Sequence, residues 1–280
     1  MMNDTPQTRR LLRRALQRAA LRAAHTLARG RNGLVRGVLR LADADDAAAL
    51  TAWSYGRSHN YSTPWHQDMG LFDFERDAFQ RYLPASPASV LVIGCGGGRE
   101  LVALAERGYR VAGLDPVPAL VQAAAARLGS ETPLETAALA DLVRPALLPG
   151  PFDAVVVGWG AWGHVLRRRD RVSGLHTLRA RSDGPVLLSW AMEERPGLRA
   201  GAHTAATAAV TATDARAGTE APDWPGWRAR AVLSPHMGCQ VRLSPTDVAS
   251  EGEEAGYEVA HYAGSGSGYP HAVLRPRGQG

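Results

Sequence analysis

The sequence contains no lysine; all 32 of its basic side chains are arginine. Alongside the high share of alanine and glycine, that bias reads as coding composition and carries no functional weight by itself. Cysteine is almost missing too, with Cys95 and Cys239 the two present. Two cysteines exclude a disulfide framework and argue against a cysteine-based zinc site. Nothing else in the sequence calls for a metal ion. No apolar run approaches the ~20 residues needed to span a bilayer. The arginine pair at 9–10 lacks the uncharged apolar segment of an export signal, so the cytoplasm is the expected location. No internal repeat is visible.

Acids are scarce in one region only. The first 41 residues hold ten arginines against one acid, Asp4, a balance of +9. The whole chain stands at +5, so residues 42–280 carry −4. A mildly acidic body argues against a broad phosphate-binding face and hence against nucleic acid as the partner. From Thr8 to Arg29, Leu12, Leu16, Ala19, Ala23 and Leu27 recur at helical spacing among arginines. Such a basic amphipathic helix has four readings: packed on the main domain, a membrane-surface binder, a nucleic-acid arm, or a transit peptide. Two of the five residues of its apolar stripe are alanine, which favours packing and leaves only weak membrane contact. Gly30 and Gly33 end it, and a second helical piece is expected from about Leu34 to Trp53.

What the sequence does have is centred on Ser89–Leu101. An apolar run, Val90-Leu91-Val92-Ile93, stops at Gly94-Cys95-Gly96-Gly97-Gly98, and a helical pattern begins at once. That is a buried strand, a tight turn and a helix N-terminus. Glycines there permit positive φ and let a ligand approach the backbone. The third glycine of a G-x-G-x-x-G dinucleotide fingerprint would fall on Arg99, so the spacing is G-x-G-x-G instead. A second strand, Tyr109 to Asp115, ends in an acid followed by Pro116. A strand-end acid can accept hydrogen bonds from both hydroxyls of a ribose.

The stretch from Val90 to Asp115 resembles the class I S-adenosylmethionine-dependent methyltransferases, closely over residues 85–190 and more loosely beyond. The resemblance implies a seven-stranded, mostly parallel, doubly wound α/β sheet whose last strand is antiparallel. It implies S-adenosylmethionine as cofactor, held by Gly94, Cys95, Gly96, Gly97, Gly98, Asp115 and Pro116. The family also places an acid near the adenine amine. Asp141, next to Leu142, fits that place, or else it caps the helical turn there. One departure concerns the methionine ammonium: many relatives have an acid two residues before the first glycine, where this chain has Val92. Backbone carbonyls, or another acid such as Glu75, would take over that role.

The remaining signals concern an acceptor. Residues 53–70 hold Trp53, Tyr55, Tyr61, Trp65, His59 and His66. In similar methyltransferases a segment here folds over the cofactor, and rings can face its sulfonium charge; alternatively these rings simply pack a helix on the sheet. Phe152 to Val157 reads as strand four, and the Trp159-Gly160-Ala161-Trp162-Gly163-His164 that follows should emerge at the ligand crevice. The Asn-Pro-Pro-Tyr box of families that methylate exocyclic or amide nitrogens is absent. Tryptophans and a histidine suit a flat or apolar small molecule. Arg167, Arg168, Arg169 and Arg171 read as a solvated face.

The expected organisation is a basic extension at 1–50, an aromatic lid at 51–84 and a methyltransferase domain at 85–280 with a cap insertion at about 192–237. The expected activity is methyl transfer to an oxygen, nitrogen or carbon of a small molecule. His66 and His164 are the base candidates, with Tyr61, Trp159 and Gly160 beside the cofactor. Two other readings stay open: an RNA or protein methyltransferase using the basic arm, and a nucleoside-binding module without catalysis.

Overall fold

The computed structural model describes residues 43–190, 208–209, 231–234, 238–264 and 269–278. The expected basic helix at 8–29, and most of the insertion at 192–237, lie outside the described residues. Residues 44–280 form one compact unit. It begins with helix α1 (Ala44–Arg57), which carries Asp45 and Asp46 in its first turn and Arg57 in its last, the charge order that suits a helix dipole. A 3-10 turn (His59–Ser62) leads into α2 (Pro64–Asp68). Pro64 opens α2, and the Thr63 hydroxyl accepts the His66 N–H at 3.3 Å. In α3 (Asp73–Tyr82), Ala78 and Phe79 turn into the core, while the Glu75 carboxylate reaches back to the Phe72 N–H at 2.8 Å.

Strands and helices then alternate: β1 (Ser89–Ile93), α4 (Arg99–Ala105), β2 (Arg110–Asp115), α5 (Pro118–Leu128), β3 (Leu134–Thr136), β4 (Ala154–Val157), α6 (Arg168–Arg179) and β5 (Val186–Ser189). Beyond them come β6 (Ala208–Ala209), β7 (Ala231–Ser234), β8 (Gly238–Val241), α7 (Pro245–Glu254), β9 (Tyr257–Ala263) and β10 (His271–Pro276). The main sheet has seven strands in the order β3-β2-β1-β4-β5-β10-β9. β1 runs parallel to β2 and β4, and β10 runs antiparallel to β5 and β9. The expected doubly wound sheet and its inserted last strand are both present. A separate antiparallel sheet, β6-β7-β8, was not foreseen.

Sheet topology locates the site. Val90, Leu91 and Val92 have 0% exposure, as strands covered by helices on both faces must. Each such side chain stabilises the fold by about 1.5–3 kcal/mol. β2 lies on one side of β1 and β4 on the other, so their carboxyl ends open a crevice at the switch point.

Arg168 and Arg169 are exposed as expected, but Arg171 of α6 corrects the sequence reading. Arg171 shares the helix's inner face with Gly174, Leu175 and Leu178. It is buried and bidentate to Glu251 of α7, at 2.9 and 2.6 Å, and also donates to the Val165 and Leu166 carbonyls. Periodicity, not the charge of the run, decides its place.

Candidate functional site

From the end of β1 the chain turns through Gly94–Gly98 into α4. Gly94, Gly96 and Gly98 have φ of +66°, +53° and +95°, the left-handed region that favours glycine. A Cβ on Gly97 would lie 2.0 Å from the Tyr61 carbonyl oxygen, whereas one on Gly96 would meet nothing within 4 Å. Gly96 thus offers bare backbone to a cavity of about 520 Å³, a volume typical of small-molecule sites. At the end of β2, Asp115 Oδ2 accepts the Gly96 N–H and Oδ1 the Val117 N–H, both at 2.9 Å. Each oxygen keeps one acceptor direction. Burial pushes this carboxyl up to about 6, against the pull of those two bonds.

Aromatic rings form the facing wall. Tyr61 meets His66 edge-on at 5.1 Å, His66 stacks near Trp159 at 6.4 Å, and Tyr55 of α1 lies 5.0 Å from Tyr61. The Gln67 amide donates to the carbonyls of Gly97 (2.7 Å) and Ala123 (3.1 Å), which fixes α2 on the glycine turn and on α5. Neither ring nitrogen of His66 has a hydrogen-bond partner among the described residues. Burial, then the charge of Arg99, pushes its pKa down, so the imidazole is neutral at pH 7.

His164 is held from three directions. Its Nδ1 lies 2.8 Å from the Cys239 carbonyl, which can only accept, so Nδ1 carries the proton and Nε2 the lone pair. Gln240 Nε2 at 3.0 Å and the Tyr55 hydroxyl at 3.2 Å face that lone pair. Burial pushes His164 down to about 4. Thr51 of α1 accepts the Cys239 N–H at 2.9 Å and donates to the Ala47 carbonyl at 2.8 Å, tying β8 to α1. Gln240 and Thr51 were not singled out in the sequence, whereas Tyr55 was one of the rings of the aromatic segment. The one local signal for β8 is the alternation of Cys239, Val241 and Leu243 with Gln240 and Arg242 after Gly238.

Behind the turn lies a buried ion cluster. Arg99, 1% exposed, is bidentate to Glu75 at 2.7 and 2.6 Å and donates to the Gly70 carbonyl at 2.6 Å and to Glu100 Oε1 at 2.8 Å. Its guanidinium sits 4.2 Å over the Phe72 ring. Burial opposes its charge, but Glu100 and Glu75 outweigh that and keep it protonated. Glu100 Oε1 also accepts the Trp159 N–H at 3.0 Å, which links α4 to the loop after β4.

Among the sequence-marked residues, Gly94, Cys95, Gly96, Gly97, Asp115 and Pro116 border the cavity on the turn side. Tyr61, His66, Trp159 and His164 border it on the other. Four others lie elsewhere. Gly98 packs on Ala124, and Leu142 is in the core at 1% exposure. Gly160 donates its N–H to Ser189 Oγ at 2.8 Å and backs onto Tyr269. Asp141 caps its own turn, accepting the Ala138 N–H at 2.9 Å and pairing with Arg144 at 3.2 Å. Capping a 3-10 turn turns the carboxylate away from the cavity, which its neighbours Leu139 and Ala140 border instead. Glu75 does not reach the cavity; both of its oxygens are engaged by Arg99 and Phe72.

Comparison with known proteins gives three findings. A family described as "Methyltransferase domain" matches residues 90–181. Over 119 residues the chain is 33% identical to the ubiquinone biosynthesis O-methyltransferase of Xylella fastidiosa strain 9a5c, covering 41% of this chain and 46% of that protein. The chain therefore spans under half the length of the curated relatives it matches. By fold it is similar to the CcbJ methyltransferase of Streptomyces caelestis, with TM-score 0.54 and 17% identity over 80% of this chain and 98% of that one. It is likewise similar to the 1,6-didemethyltoxoflavin-N1-methyltransferase of Burkholderia thailandensis, with TM-score 0.56 and 16% identity over 85% and 92% of the two chains. At those identities the likeness concerns the fold alone. The glycine turn lies inside the region that matches the family described as "Methyltransferase domain", and the strand order around it is that of a methyltransferase fold.

Proposed function

We propose that this chain binds S-adenosylmethionine and methylates a hydroxyl of a flat small molecule held in the same cavity. One observation carries the reading: a single space of about 520 Å³ has the bare Gly96 backbone and Asp115 on one side, and aromatic rings with two neutral imidazoles on the other. The residues fit the cofactor. Gly96 leaves the room that any side chain would fill, and the two spare acceptor directions of Asp115 match a vicinal diol.

When bound, S-adenosylmethionine supplies a methyl group already activated by a positive sulfur. This chain's residues align, exclude water and take up a proton. Tyr55, Tyr61, Trp159 and Tyr269 supply faces that repel water and tolerate a cation. A hydroxyl must lose its proton as it attacks, and neutral imidazole is the fitting acceptor. His66 has the freer ring, while the Nε2 of His164 is already approached by Gln240 and Tyr55. The names of the curated relatives, which are O-methyltransferases, also favour oxygen.

Calorimetry with S-adenosylhomocysteine and with NAD tests the first half; tighter binding of NAD would overturn it. Turnover across a panel of phenols, enols and sugar hydroxyls tests the second. His66→Asn should lower kcat by about 10²–10⁴-fold with cofactor affinity kept. Tight cofactor binding without turnover on any acceptor would favour a nucleoside-binding module.

A further inference from the structure

The buried cluster behind the glycine turn does not balance. One guanidinium, Arg99, faces two carboxylates, Glu75 and Glu100. Glu75 spends both oxygens on Arg99 and the Phe72 N–H. Glu100 spends only Oε1, on Arg99 and on the Trp159 N–H. Its Oε2 has no hydrogen-bond partner among the described residues, although the residue is only 5% exposed and borders the cavity. Oε2 is not among the sealed polar atoms that lack a partner, so it opens toward the cavity the residue borders, and a carboxylate oxygen presented there is an acceptor for a cation.

The position two residues before the first glycine offers no acid and is closed. Val92 lies in the core with 0% exposure, packed among Val90, Leu101, Leu104 and Val156. Glu100 stands at the second position of α4, directly after the glycine turn, and reaches the cavity from the far side of that turn.

We propose that Glu100 Oε2 is the anchor for the ammonium of the cofactor's methionine part, with Arg99 as the positioning residue that holds the carboxylate in place. This rests on the cofactor assignment above. The ammonium would complete the charge balance of the cluster, and Glu100 would couple it to the Trp159 wall through Oε1. Arg99→Lys would then loosen the anchor, because an ammonium cannot hold two carboxylates in a planar fork.

Two ligands isolate the effect: S-adenosylhomocysteine, and 5′-methylthioadenosine, which keeps the nucleoside and sulfur but lacks the amino-acid end. In Glu100→Gln the Oε1 acceptor for Trp159 is retained. Calorimetry should show S-adenosylhomocysteine weakened by about 10- to 100-fold, the scale of a charge-assisted hydrogen bond, and 5′-methylthioadenosine within about twofold of wild type. As a check needing no variant, S-adenosylhomocysteine lacking its α-amino group should bind the wild-type protein more weakly by the same factor. The anchor is refuted if Glu100→Gln binds S-adenosylhomocysteine normally, if both ligands weaken alike, or if the deaminated analogue binds the wild type undiminished. A wild-type protein that binds neither nucleoside refutes the cofactor assignment itself, a result distinct from these three.

Discussion

Asp115→Asn should flatten the pH dependence of the free protein's stability and spoil its ligand binding. The carboxyl is raised from its ordinary 3.8 to about 6 by burial. That rise corresponds to about 3 kcal/mol held against the charged form. Because the folded pKa lies above the unfolded one, the group's favourable contribution is complete below about 3.8 and is lost as pH climbs through about 6. Asparagine cannot ionise, so between pH 4 and pH 8 wild type should lose about 3 kcal/mol that the variant keeps; the variant carries instead a pH-independent cost of about 1–3 kcal/mol, because its single oxygen leaves either the Gly96 or the Val117 N–H without an acceptor. A bound ribose diol reverses the balance, since two hydroxyl donors favour the ionised carboxylate. Asparagine can serve one hydroxyl at most once its single oxygen meets Gly96 or Val117. Affinity for S-adenosylhomocysteine should fall by about 1.5–3 kcal/mol, and wild-type affinity should decline as pH drops below 6 while the variant's stays flat. Urea melts and calorimetry at pH 4, 6 and 8 measure both. A variant whose stability falls between pH 4 and pH 8 as steeply as that of wild type, or that binds with unchanged affinity, refutes the reasoning.

Other substitutions probe neighbouring features. Gly96→Ala should fold, at a cost of about 1–2 kcal/mol for its left-handed φ, yet lose S-adenosylhomocysteine because the new methyl enters the cavity; Gly97→Ala should instead destabilise the fold by driving the Tyr61 carbonyl off the turn, read as a lower Tm. Removing one partner of the buried Arg171–Glu251 pair, as in Glu251→Gln or Arg171→Met, should cost about 3–5 kcal/mol, and a double apolar replacement should recover most of it. His164, depressed by burial to about 4, should withdraw about 3 kcal/mol of stability as pH falls from 6.5 through 4; His164→Gln should flatten that limb of the urea-melt profile. If wild type and His164→Gln lose stability in parallel over that range, the burial-depressed pKa of His164 is wrong.

Local pattern made part of this site readable. The run Val90–Ile93 against Gly94–Gly98 needs only neighbouring residues to become strand, turn and helix, and Asp115 follows from the next strand end. The other wall depends on residues far apart in the chain. Tyr55, His164 and Gln240 converge because α1 and β8 pack together through Thr51 and Cys239, a pairing with no local pattern. Asp141 and Arg171 show the opposite difficulty. Each had the right chemistry for the role assigned, but a 3-10 turn took the carboxylate of one and helical phase buried the guanidinium of the other. Glu100 was hidden for a simpler reason: as a helix N-terminal acid it looks ordinary until Arg99 and Glu75 are seen to leave its second oxygen unused.

The insertion of β10 between β5 and β9 governs how the chain can be made. Synthesis delivers β5 long before the strand that will sit beside it, since Ser189 waits for His271. Until then the ribosome holds a half-built sheet with an open edge of Val186–Ser189, and β9 emerges with no neighbour to join. An unpaired edge of this kind is where nascent chains stick to one another. Expression yield should accordingly respond to chaperone supply and to slowed translation of the final strands more than to changes in the glycine turn, which is complete early.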